Sequence, residues 1–133
     1  MLIAAIVASP VFAQPASAPT LIALSQIETG QWQLRARDAS VDRSVCVSDP
    51  RALLQVRHGS AVCSRFIIAN DARATTIHYT CPGAGHGQTT LRVETPRLIQ
   101  IESQGIAERE PFSIRLEGRR VGNCGLKTSA LSR

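Results

Sequence analysis

Aromatic residues are scarce, at 4% of the 133 positions. Trp32 and Tyr79 each stand alone in their type, and Phe12, Phe66 and Phe112 complete the set. Proteins that follow single-stranded nucleic acid stack its bases on aromatic rings, so nucleic acid is excluded as a partner. Lysine is almost missing too: of 15 basic residues only Lys127 is lysine, and no run of five like charges occurs. That excludes a polybasic tail. There is no Cys-x-x-Cys pair. Cys46, Cys63, Cys81 and Cys124 are separated by 17, 18 and 43 positions, whereas a zinc site wants close pairs. His58, His78 and His86 also lack metal-ligand spacing. No Gly-x-Ser-x-Gly elbow offers a nucleophile. The glycine-rich run Pro82–Gly87 precedes a strand pattern, whereas a phosphate cradle opens a helix. Glu108 and Glu110 flank Arg109 and read as surface. Together these absences predict a non-enzyme with no metal and no cofactor. No apolar run is long enough to span a bilayer.

What is present begins with residues 1–13, MLIAAIVASPVFA, uncharged and nearly all apolar. The small residues of the Val-Phe-Ala ending suit a signal peptidase, which predicts cleavage after Ala13 and a periplasmic or secreted protein. Residues 14–27 read as a linker and N-terminal segment, residues 28–124 as one β domain, and residues 125–133 as a disordered tail. The net charge of +5 and pI near 9.7 belong to the mature domain and permit attraction to anionic partners. An even number of cysteines in a small exported domain predicts two disulfides.

Apolar and polar residues alternate along most of the domain. Trp32, Leu34 and Ala36 oppose Gln33 and Arg35, and Phe112, Ile114 and Leu116 oppose Ser113 and Arg115; this is the period of a half-buried strand. Further strands are expected at 41–47, 61–69, 74–81, 88–94 and 98–103, with Phe66, Ile68, Ile77 and Tyr79 facing inward. Residues 82–87 are expected to form a flexible loop. Ser48-Asp49-Pro50 looks like a capped helix start, giving a short helix over 50–57 that ends at Gly59. The fold class is therefore mainly β: an antiparallel meander of about seven strands curled into a barrel or half-barrel, with one short helix after the second strand. The preferred disulfide pairing is Cys46–Cys63, stapling the helix, with Cys81–Cys124 tying the glycine loop to the tail. Its rival is Cys63–Cys81, because a turn centred on residue 72 sets those two opposite each other.

Gly30-x-Trp32, Cys46 followed by Asp49-Pro50, Cys63, Cys81, a glycine-rich loop and Gly118-Arg119-Arg120-x-Gly122-x-Cys124 come in an order that resembles the bacterial domain of unknown function numbered 3617, a group of small exported proteins. The resemblance covers about residues 28–124. It implies export and a β-rich domain and carries no activity. A second, weaker likeness is to the calycins, the lipocalin-type barrels, which pair Gly-x-Trp on the first strand with an arginine packed over that Trp near the last. Strand parity puts Arg120, and not Arg119, on the side of Phe112, Ile114 and Leu116, able to cover Trp32 by a cation–π contact. A simple meander of seven strands makes the first and last parallel, whereas a lipocalin closes with antiparallel neighbours. A different strand count, a helix that changes the connection, or an accidental likeness would each account for this.

The function expected from these readings is a monomeric, exported binding domain. Its apolar interior would take a small hydrophobic or amphipathic molecule, with Trp32, Phe66, Tyr79, Phe112 and Arg120 as candidate ligand-binding residues. The alternative is docking on an envelope protein or anionic surface through an Arg-rich face, and a solid core plugged by the helix would favour it.

Overall fold

The computed structural model describes residues 7–12 and 20–125. The signal-peptide cleavage point, residues 14–19 and the tail beyond Gly125 lie outside the described residues. A short 3-10 turn, η1 (Ala23–Gln26), precedes the hairpin β1 (Gly30–Ala36) and β2 (Asp42–Val47). A second 3-10 segment, η2 (Pro50–His58), leads to a five-strand meander: β3 (Ser64–Asn70), β4 (Ala74–Cys81), β5 (Gly85–Thr95), β6 (Leu98–Ala107) and β7 (Glu110–Gly122). All seven strands form one antiparallel sheet in the order β2-β1-β7-β6-β5-β4-β3. β7 returns to pair antiparallel with β1, Trp32 opposite Arg120. This is possible because η2 carries the chain from the β2 edge of the sheet to the β3 edge. The sheet does not close: β2 and β3 are free edges, so it is not a complete barrel.

η2 starts where the sequence places it. The Asp49 carboxylate accepts from the Arg51 backbone N–H at 3.0 Å, Pro50 opens the segment and Gly59 follows its end. It bends at Gln55, whose side chain is buried and donates to the carbonyls of Gly59 (2.9 Å) and Ala61 (2.8 Å). Leu53, Leu54 and Val56 press onto the inner face of the sheet among Trp32, Leu34, Ile77, Tyr79, Leu91, Ile99, Ile101 and Leu116. Polar groups register the contact. The Thr89 hydroxyl donates to the Leu54 carbonyl at 2.6 Å, and the Ser103 hydroxyl lies 2.8 Å from Thr89. With its own proton given to Leu54, Thr89 accepts from Ser103. Among the described residues no buried side-chain polar atom lacks a partner. The helical segment therefore fills the interior of the sheet.

Several expectations need correction. The disulfides are Cys46–Cys124 and Cys63–Cys81, so the preferred pairing fails and the rival bond forms. Ser64 pairs with Thr80, and one step further out Cys63 faces Cys81. Cys124 follows the end of β7 and reaches Cys46 past β1, where Gln31 is registered with both Gly122 and Cys46. Phe66 and Ile68 do not face inward; they are 70% and 51% exposed. Phe66 pairs with the outer-face residue His78, whereas Ile67 pairs with the buried Ile77, so Ile67 is the inward residue and the alternation runs one step out of the expected phase. Residues 82–87 are not a loop. The turn is tight, with the Ala84 N–H donating to the Cys81 carbonyl at 2.9 Å, and β5 already begins at Gly85.

Candidate functional site

A groove of about 940 Å³ opens beside the free β3 edge of the sheet, between η1 and the start of η2. A volume of this size falls in the range of small-molecule sites. One wall is η1 and its flanks, contributing Leu21, Leu24 and Ile27; another is β3 with Ile67 and Ile77 beneath it; Asp49, Pro50 and Arg51 close one end. η1 sits there for identifiable reasons. The Asn70 amide clamps its entry, donating to the Thr20 carbonyl and accepting from the Ile22 N–H, each at 2.9 Å. Gln26 bonds the Ala72 carbonyl in the β3–β4 turn. Ala23, Leu24 and Ile27 are thereby buried against the core.

The groove is mostly apolar with a charged end. Arg51 chelates Asp49, its Nη2 lying 2.6 Å from Oδ2, and that hydrogen bond holds the Asp49 carboxyl below the usual carboxylate range. Arg65 donates to Gln55 Oε1 at 3.0 Å and to the Arg51 carbonyl at 3.3 Å. No carboxylate lies within ion-pair distance of Arg65 among the described residues. Burial and the Arg51 charge both lower its pKa, although by surface area its side chain is exposed.

Of the five residues expected to touch a ligand, only Phe66 lines this groove. Trp32 and Tyr79 are fully buried core residues. The Trp32 indole N–H donates to the Glu28 carbonyl at 2.9 Å. The Tyr79 hydroxyl meets His58 Nδ1 at 2.7 Å, while His58 Nε2 lies 3.1 and 3.0 Å from the carbonyls of Ala84 and Ile106. Two carbonyls at Nε2 require the proton there, so Nδ1 accepts from Tyr79. Burial pushes the Tyr79 hydroxyl pKa up, which keeps it a donor. Gly87 makes room for this pair, since a Cβ there would stand 2.6 Å from the Tyr79 oxygen. Phe112 is half-buried, edge-on to the His58 ring.

Arg120 is directly opposite Trp32, with a side chain 17% exposed against 63% for Arg119. Its Nε donates to the Thr29 carbonyl and its Nη2 to Asn123 Oδ1, both at 2.8 Å. The guanidinium lies across Gly30, where a Cβ would come within 2.7 Å of Nε. Arg120 thus acts as a clamp between the entry to β1 and the exit from β7.

The groove-lining residues Leu21, Leu24, Ile27 and Ile67 were outside the sequence-derived site. For Leu21, Leu24 and Ile27 a signal lies in the sequence, since residues 20–28 are amphipathic and their apolar positions need a surface to cover; Ile67, inside an apolar run, carries none. Among the described residues no group of three or more His, Cys, Asp or Glu is placed to hold a metal, and no helix is long and apolar enough to cross a membrane. Compared with known proteins, the chain matches no family model, no curated protein and no solved structure.

Proposed function

We propose that this chain is an exported, non-enzymatic β domain that works in the periplasm and binds a small hydrophobic or amphipathic molecule in the groove between η1, β3 and the start of η2. The observation that carries this reading is the groove itself: Leu21, Leu24, Ile27, Ile67 and Ile77 offer an apolar bed and Arg51 and Arg65 stand at one end. Concave, mostly apolar sites with a few polar groups are the usual form of ligand pockets. The two disulfides fit an oxidising compartment. The antiparallel β1–β7 pair with Trp32 opposite Arg120 supports the likeness to calycins, although the site proposed is beside the sheet and not inside it.

Docking through an Arg-rich face takes second place. The outer-face arginines are largely matched by carboxylates: Arg35 with Asp42 at 3.8 Å, Arg115 with Glu102 at 3.5 Å and Arg119 with Glu117 at 2.6 Å. Titration of the oxidised protein with a fluorescent fatty-acid probe tests the main reading. A saturable signal is expected, weakened about tenfold or more by Ile67→Trp, which narrows the groove. No saturable signal, or equal affinities for the two proteins, would remove the groove as the ligand site.

A further inference from the structure

The charges at the polar end of the groove do not cancel. Among the described residues that line it, Asp49, Arg51 and Arg65 alone are charged. Arg51 and Asp49 satisfy each other: Nε and Nη2 of Arg51 both reach the Asp49 carboxylate, at 3.0 and 2.6 Å. Arg65 is left over. A guanidinium offers five N–H donors, and here only Nη2 is engaged, by Gln55 Oε1 at 3.0 Å and the Arg51 carbonyl at 3.3 Å. Both acceptors are neutral. Nε and Nη1 have no partner among the described residues. The Nη2 bonds nevertheless hold the group in place, because the Gln55 amide is itself fixed through Nε2 to the carbonyls of Gly59 and Ala61. Burial and then the Arg51 charge lower the Arg65 pKa, and Asp49 offsets them only in part. The side chain is still open to solvent, so a ligand can reach it. One end of an apolar groove thus holds a fixed cation with unused donors and no counter-charge of its own.

We infer that the groove selects an acyl chain ending in a single negative charge, a fatty-acid carboxylate, with its chain against Leu21, Leu24, Ile27 and Ile67 and its head on Arg65. This rests on the groove being a ligand site and adds what the ligand must carry. A carboxylate takes short, charge-assisted hydrogen bonds from a guanidinium, and its one charge matches the one left over. A neutral alcohol head would leave Arg65 as unbalanced as before. A phosphate monoester carries nearly two negative charges at neutral pH, and Asp49 at the same end opposes the second. A cationic head would meet Arg65 and Arg51 together. Without Arg65 the order would favour the alcohol, since burying a charged head costs more than burying a hydroxyl.

Displacement of Nile red, a neutral apolar dye, from the oxidised protein at neutral pH and low salt separates the head group from the groove. Saturable dye binding that Ile67→Trp weakens reports the groove alone. Decanoate is expected to displace the dye about tenfold more strongly than decanol, and decyl phosphate no more strongly than decanoate. In Arg65→Gln the preference for decanoate over decanol is expected to vanish, with decanol competing as it does in the wild type. An unchanged circular dichroism spectrum with both disulfides intact confirms that this variant folds, and the comparison of decanoate with decanol on the wild type decides the matter even if it does not. Dye binding with decanoate and decanol competing alike, a preference for decanoate that survives Arg65→Gln, or decyl phosphate tenfold ahead of decanoate would each overturn the head-group inference and leave the groove as a ligand site. No saturable dye binding would overturn both.

Discussion

Arg120 and Arg119 are neighbours with opposite fates, and the difference comes from the two-residue period of a strand. Arg120 is on the inner side and donates to the Thr29 carbonyl and the Asn123 side-chain oxygen across the ends of β1 and β7; Arg119 reaches Glu117 on the wet side. Arg120→Ala is therefore expected to lower stability by about 1–2 kcal/mol more than Arg119→Ala, read from urea midpoints. Equal midpoints would mean that the clamp contributes nothing. Parity made this pair legible in the sequence, along with the inward Trp32, Ile77 and Tyr79. It failed at Phe66 and Ile68 because the run Phe66 to Ala69 is apolar throughout and no polar residue marks its phase; Ile67, opposite the buried Ile77, is the inward one. The partner of the Tyr79 hydroxyl, His58, is 21 residues away in the chain, and no local pattern announces such a contact.

At the scale of elements, η2 matters most. Alone, nine residues of 3-10 helix would not persist in water; the sheet holds them through Leu53, Leu54 and Val56, each at most 8% exposed. Leu54→Ala should cost about 2–5 kcal/mol, since the surrounding core can collapse only in part onto the space left. A loss below about 1 kcal/mol by thermal or urea unfolding would show that the segment merely rests on the sheet. Its cap, its proline and its glycine stop could all be read in the sequence, because these are local devices. Its destination could not. Nothing between residues 50 and 58 states that the segment crosses from one edge of the sheet to the other, and that crossing is what sets β1 antiparallel to β7. The groove was illegible for the same reason: it exists because η1, β3 and the start of η2 meet at an unclosed edge.

Over the whole molecule, the disulfides show what a linear reading misses. Cys63–Cys81 spans 18 residues and follows from a hairpin register; Cys46–Cys124 spans 78 and follows from the return of β7 to β1. Loop-closure entropy assigns them about 3 and about 4.5 kcal/mol respectively, so the bond that no local pattern foretells is the larger constraint. The crossing made by η2 also has a consequence in time. A ribosome delivers the chain from its N-terminus, and the β1–β2 hairpin emerges first with no sheet to join. β4 to β7 are each built beside the strand just before, but β1 must wait until β7, the last strand made, offers its edge. During that wait the thiol nearest in sequence to Cys46 is Cys63, and its proper mate is the last cysteine to arrive. Oxidation that outruns synthesis would therefore trap a Cys46–Cys63 bond, to be undone by thiol–disulfide exchange. Acid-quenched oxidative refolding of the reduced chain, followed by peptide mapping, should catch that bond early and lose it as Cys46–Cys124 accumulates. If Cys46–Cys124 instead forms first, the ends of the chain find each other before the middle has folded.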